Sequence, residues 1–172
     1  MTLYNYVKDR EALEELVVDA FAAQVDLREP TDDWAADTRA AATALWHAVR
    51  AHPAAVPLVL TRRTSGPAAL APAEVLASAL TRSGLGGADL LAAFRAVMAF
   101  VMGLAQAELA GPLAPEGAAT AEARRVGALA EGTLPALSRL AAVSAGHADE
   151  EFDRGLALIL GGIRQAAASE RA

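Results

Sequence analysis

The sequence predicts an all-α protein, and three observations carry that reading. Ala, Leu, Glu and Arg, all strong helix formers, recur throughout the 172 residues. Apolar residues repeat at i, i+3, i+4 and i+7 in several stretches. No stretch alternates apolar and polar residues with period two, and no Asn-Gly or Asp-Gly pair marks a hairpin turn.

The elements follow in chain order. A short first element runs from about Thr2 to Val7, and Lys8-Asp9 ends it. Asp9 suits the N-cap of a helix from Arg10 to about Val25, with Glu11 in its first turn. Leu13, Leu16, Val17, Ala20 and Phe21 form its expected inward stripe. After the polar link DLREP, Thr31 or Asp32 is expected to cap a helix reaching Ala51. Its stripe is Trp34, Thr38, Ala41, Leu45 and Val49, and Pro53 stops it. Pro53 and Pro57 bracket a short turn around Val56 to Leu60, and TRRTSGPAALA reads as a loop. Pro72 suits the first turn of a helix to about Ser83, because a first-turn residue needs no N–H. GLGG then breaks the chain before a long helix from about Ala88 to Leu109. Gly111, Pro112, Pro115 and Gly117 make the most loop-like stretch, and Ala121 to Ala130 offers a turn or two of helix. Pro135 opens a short helix to about Val143, and Asp149 caps the last one, Glu150 to about Ala168.

Composition narrows the function. No uninterrupted apolar run reaches the roughly 20 residues of a bilayer span, and the charged start MTLYNYVKDREALEE has no signal-peptide layout. A cytoplasmic protein with no membrane partner is expected. There is no Cys, hence no disulfide and no thiolate chemistry. The net charge of −6 is the wrong sign for a self-sufficient DNA-binding domain, which needs a basic face for phosphates. His47 and His52 are five residues apart, off the i, i+4 metal spacing. His147 precedes the acids Asp149, Glu150 and Glu151, a pattern that helix capping explains. No phosphate loop, Ser-His-Asp order or paired-carboxylate motif stands out, so no enzyme activity, cofactor or metal is expected.

The ends of the chain carry a family pattern. Thr2-Leu3-Tyr4, Tyr6-Val7, Lys8-Asp9 and Glu11-Ala12-Leu13 stand in the order of a recognition helix, a polar turn and the next helix. This stretch resembles the end of the helix-turn-helix of TetR-family transcriptional regulators. Glu151 to Ile159 resembles the last helix of the tetracycline-repressor-like branch, and GLGGADLLAAFRAVMAFVMG resembles its long eighth helix. The resemblance implies an effector-binding and dimerisation body over residues 10–172, with residues 1–9 the remainder of the DNA-reading module. It also implies two basic helices ahead of the Thr-Leu-Tyr motif, without which the chain is expected to bind DNA weakly or not at all. Thr2 and Asn5 would face base edges, while Tyr4, Tyr6, Lys8 and Arg10 would grip the phosphate backbone. A packed amphipathic turn is the plainer reading of the same residues.

The resemblance further implies a homodimeric repressor released from operator DNA by a small molecule. Asp26, Ala41, Leu45, Val59 and Arg62 stand where the tetracycline-repressor pattern has its ligand-gripping His, Asn, Phe, His and Thr, and Arg63 is the polar position retained. With Val59 at the magnesium-holding position, a metal–tetracycline ligand is not expected. Leu45, Trp46, Val59, Met98 and Met102, with Arg63, would line a pocket for an apolar effector, since methionine adapts to irregular shapes. Core filling is the bland alternative. Phe152, Leu156, Ile159 and Ile163 form one stripe of the last helix, and Leu158 and Gly162 form a second. The first stripe is taken as the dimer interface, completed by the Ala88–Leu109 helix. Gly155, Gly161 and Gly162 each cost about 1 kcal/mol of helix propensity, which makes sense where another helix comes close. The competing functional reading is a helical small-molecule-binding module with no DNA role of its own.

Overall fold

The computed structural model describes residues 10–61, 67–110, 125, 127–128, 133–143 and 148–170. Among the described residues there are seven α-helices and no strand. They are α1 (Arg10–Ala22), α2 (Trp34–Ala51), α3 (Val56–Thr61), α4 (Pro67–Thr81), α5 (Gly87–Ala110), α6 (Pro135–Val143) and α7 (Ala148–Glu170). A 3₁₀ turn, Pro53–Ala55, joins α2 to α3. The short first element lies outside the described residues, as do the loop around Gly111 to Gly117 and most of the Ala121–Ala130 stretch.

Helix α2 is the centre of the bundle. It packs on α4 and α5, while α1 leans on α4 and α3, and α7 lies against α5. All the stripe residues read for it except Trp34 are buried, and Ala35, Ala42, Trp46 and Ala48 join them. Burial so wide brings in a hydroxyl, and Thr38 Oγ1 donates to the Trp34 carbonyl at 2.8 Å. Its N-cap is Asp33, one residue beyond the two candidates. The Asp33 backbone is extended, and Oδ1 accepts from the N–H groups of Ala35 at 2.9 Å and Ala36 at 3.1 Å.

Thr31 and Asp37 serve a different purpose. The Thr31 N–H and hydroxyl both donate to the Asp37 carboxylate at 2.8 Å. From the end of α4, Arg82 donates to the Thr31 carbonyl and to the same carboxylate. This network ties the α1–α2 connection to α4. The hydrogen bond from Arg82, helped by those from Thr31, holds the Asp37 carboxyl below its ordinary pKa despite the desolvation that raises it.

Two elements depart from expectation. Helix α4 begins at Pro67, so part of the anticipated loop is helical and Pro72 lies inside the helix. The missing N–H of Pro72 leaves the Ala68 carbonyl without its helix bond, and Ala68 is exposed to water, which offsets the loss. In α1, the buried side chains are Glu14, Val18, Phe21 and Ala22. Leu13, Leu16 and Val17, expected to face inward, are exposed, Leu16 by 53%. Of the anticipated stripe only Phe21 reaches the core.

Helix α5 contains a stretch, Gly87–Gln106, with mean hydropathy 1.8, long and apolar enough to cross a membrane by length and composition. Asp89 and Arg95 are the charged residues within it. Ala93, Val97, Val101, Met102 and Ala105 turn inward, whereas Leu91, Ala92, Ala96, Ala99 and Gly103 are exposed.

The glycines of α7 divide. A Cβ at Gly155 would lie 2.5 Å from the Phe100 ring of α5, so here two helices do need a missing side chain. A Cβ at Gly161 or Gly162 would meet nothing within 4 Å. Gly155→Ala is therefore expected to cost about 1–3 kcal/mol through overpacking. With that face open to solvent, as in a Leu158→Glu background, Gly161→Ala is expected to add about 0.5–1 kcal/mol, because only backbone entropy changes. Urea unfolding of the two variants checks this, and equal shifts of the same sign would refute the crossing.

The Asp37 network also carries a pH dependence. Its folded-state pKa lies below the unfolded value near 3.9, so the network stabilises the fold above that pH. The contribution disappears as the pH falls through the lowered value. Asp37→Asn should flatten the acid limb of the stability curve below about pH 4 and leave the neutral-to-alkaline shape alone. Superimposable acid limbs for the two proteins would show that the network is not responsible.

Candidate functional site

The residues expected to line a pocket do converge, but as a packed core. Leu45, Trp46 and Met102 are buried in one cluster with Val49, Val97, Val101 and Phe152, and Val59 and Met98 pack half-buried against it. Arg63 lies outside the described residues. Trp46 is 1% exposed and stacks on Phe152, with ring centroids 4.3 Å apart and planes within 5°. Phe100 leans on the same Phe152 ring at 5.6 Å, so Gly155 below it sets the height of the stack. The Arg50 guanidinium sits 4.7 Å from the Trp46 ring. Among the described residues, the Trp46 indole N–H finds no acceptor. A buried donor in that state costs about 1–3 kcal/mol, and a ligand carbonyl would relieve it.

The expected dimer stripe is corrected. Phe152, Leu156 and Ile163 are buried in the chain's own core and Ile159 packs half-buried against it. They have little surface left for a partner. The apolar surface that remains belongs to the second stripe. Leu158 is 79% exposed, and Gly161 and Gly162 lie beside it facing open space.

Two hollows border α2. The larger, about 750 Å³, runs along α2 from Asp33 to His52, between the α1–α2 connection and α7. Ala36, Ala40, Ala44, Ala48 and Leu160 are among its lining, with Arg28, Arg39 and Arg164 contributing charge. At the C-terminal end of α2, His52 shares a hydrogen bond with Gln24. The smaller, about 360 Å³, lies between the same connection and α4, and includes Val75, Ala79, Asp37 and Arg82. Leu45, Trp46, Val59, Met98 and Met102 line neither hollow, whereas Asp26 and Ala41, at ligand-gripping positions of the tetracycline-repressor pattern, line the larger and the smaller. The signal for the larger one was the spacing of Ala36, Ala40, Ala44 and Ala48, four small residues on one face of a helix.

Of the residues expected to touch DNA, Thr2, Tyr4, Asn5, Tyr6 and Lys8 lie outside the described residues. Arg10 opens α1 with its side chain in solvent, where Nε donates to Glu14 at 2.8 Å.

The chain is similar to known proteins over nearly its whole length. A model of the tetracyclin repressor-like C-terminal domain matches residues 28–167. An HTH-type transcriptional regulator of Saccharopolyspora erythraea is 33% identical over 171 residues, spanning 98% of this chain and 72% of that protein. The TetR family protein ActR of Streptomyces coelicolor, solved in complex with actinorhodin, superposes with a TM-score of 0.77 at 23% identity, covering 96% of this chain and 80% of that one. A second TetR regulator of the same organism gives a TM-score of 0.73 at 25% identity, with 95% and 81% covered.

The stack at the centre of the core is open to test. Phe152→Ala is expected to cost about 3–5 kcal/mol in urea unfolding. Trp46→Phe should stay within about 1 kcal/mol of the wild type, because the lost indole contacts are offset by removal of an unpaired donor. A larger loss in the second variant would mean that the indole N–H has an acceptor.

Proposed function

The chain belongs to the TetR family of transcriptional regulators, which are not enzymes, and from that premise we propose that it is the effector-sensing and dimerising body of a homodimeric repressor. The observation that carries the dimer is the uncovered apolar surface on α5 and α7. Leu91, Ala92, Ala96, Ala99 and Gly103 on one helix, and Leu158, Gly161 and Gly162 on the other, leave two helices without a neighbour on their outer sides among the described residues. Small side chains let a second pair of helices approach closely, and burying Leu158 alone removes most of a leucine from water. Two copies related by a twofold axis would cover both faces at once.

The effector reading rests on the core. Leu45, Trp46, Val59, Met98 and Met102 supply an apolar, adaptable wall, and the unsatisfied Trp46 N–H supplies one directional contact. A mainly apolar molecule with a hydrogen-bond acceptor would match these groups once the close packing of the core opened to admit it. ActR, which shares the fold, holds actinorhodin, and this supports an organic effector of comparable kind.

DNA reading falls to residues 1–9 with the basic helices that the family places ahead of them. The acidic body, at net −6, opposes phosphate and needs such a module for binding. The exposed Leu13, Leu16 and Val17 of α1 supply an apolar face on which that module would rest. A regulator that works in this way acts in the cytoplasm.

Light scattering tests the core of this reading. The chain is expected to be a dimer at micromolar concentration, and Leu158→Glu should convert it to a helical monomer. A wild-type protein that is monodisperse and monomeric would overturn the dimer. Native mass spectrometry of the purified protein is expected to show a bound molecule that Trp46→Phe retains less well.

A further inference from the structure

The hollow along α2 lies apart from the aromatic core and from the uncovered faces of α5 and α7. We propose that it is a second small-molecule site, which takes an organic acid with a flat or extended apolar body. At about 750 Å³ it falls within the range of roughly 300–1,000 Å³ typical of small-molecule sites. Ala36, Ala40, Ala44 and Leu160 present methyl groups and no polar head to the hollow, so an apolar body can lie directly against the helix.

The charge comes from three separate segments. Arg28 is on the α1–α2 connection, Arg39 on α2 and Arg164 on α7. Arg164 lies with its guanidinium 5.8 Å from the Trp34 ring, a cation–π arrangement that holds it beside the N-terminal half of α2. Arg39 meets Asp153 only at 3.6 Å, between two exposed side chains, and such a pair contributes little. Two acids share the lining, Asp26 and Asp33. Asp33 Oδ1 is already committed to the N-terminal N–H groups of α2. Three guanidiniums against two carboxylates leave the hollow cationic on a chain whose net charge is −6. Gln24, His47 and His52 line the C-terminal half, and the Gln24–His52 hydrogen bond closes that end. The anionic group of the ligand therefore belongs beside Arg39 and Arg164, where a guanidinium offers two parallel donors to a carboxylate or sulfonate.

The test is a fluorescence titration of the whole chain with 6-(p-toluidino)naphthalene-2-sulfonate, an anionic dye that brightens on apolar surfaces. Binding should saturate, and the double variant Arg39→Gln/Arg164→Gln should bind about tenfold more weakly or worse. Both side chains reach solvent, so circular dichroism should show the variant as helical as the wild type. N-phenyl-2-naphthylamine, a neutral analogue, should bind both proteins equally. A double variant that binds the sulfonate within about twofold of the wild type overturns the site. An equal loss for the neutral analogue overturns it too, because charge would then not be what the arginines supply.

Discussion

The face-to-face contact of Trp46 with Phe152 is the interaction on which the rest of the structure depends. It joins the second helix to the last, two segments far apart in the chain. Such a stack is worth about 0.5–1.5 kcal/mol beyond the area it buries. Its larger effect is geometric. Phe152 fixes the register of α7, Phe100 on α5 leans against the same ring, and the bare backbone of Gly155 lets the two helices come that close. Once α7 is held, Leu156, Leu160, Ile163 and Ala167 fall into the core one turn after another, and Leu158 on the opposite side is left exposed.

What the sequence disclosed follows from how many neighbours each helix has. Helix α2 is surrounded, so a stripe of any phase meets a partner, and Thr38, Ala41, Leu45 and Val49 were read correctly. Among the described residues helix α1 has neighbours on one side only, and it has two faces with apolar residues at helical spacing. Periodicity shows that both exist and does not say which one turns inward. Val18 and Phe21 won that place over Leu13 and Leu16, with Glu14 admitted beside them. The same ambiguity governs α7. Both stripes were legible, but the richer one was given to a partner subunit when it is the one the chain buries itself. Pro72 was misread for a different reason. The rule that proline opens a helix is a rule about its missing N–H, and an exposed carbonyl one turn earlier satisfies it equally well inside the helix.

The site was legible in part. Leu45, Trp46, Val59, Met98 and Met102 were expected to line one pocket, and the fold brings them together in one core. That they gather into close packing, with one stranded indole N–H, depends on side-chain directions that spacing does not encode. The hollow on the other side of α2 was missed because alanines signal nothing chemical, and its arginines are scattered over three segments. Only folding brings Arg28, Arg39 and Arg164 together.

The position of the two hollows bears on how sensing would reach DNA. Both are bounded by the connection between α1 and α2, and Arg28 lines each of them. The connection is anchored at one point by Arg82 through Thr31 and Asp37, and at another by the Gln24–His52 hydrogen bond. Helix α1 is the element that leads to residues 1–9. A ligand in the core would press on α2 from one side, while one in the larger hollow would sit between α2 and the connection. Either can move α1 only to the extent that it binds one position of that helix better than another, and tight binding without such a preference moves nothing. The hydrogen-bonded anchors supply the resistance against which that preference acts. The connection, more than the pocket itself, is thus where an effector's affinity would become a displacement of α1, the helix that leads to the segment proposed to read DNA.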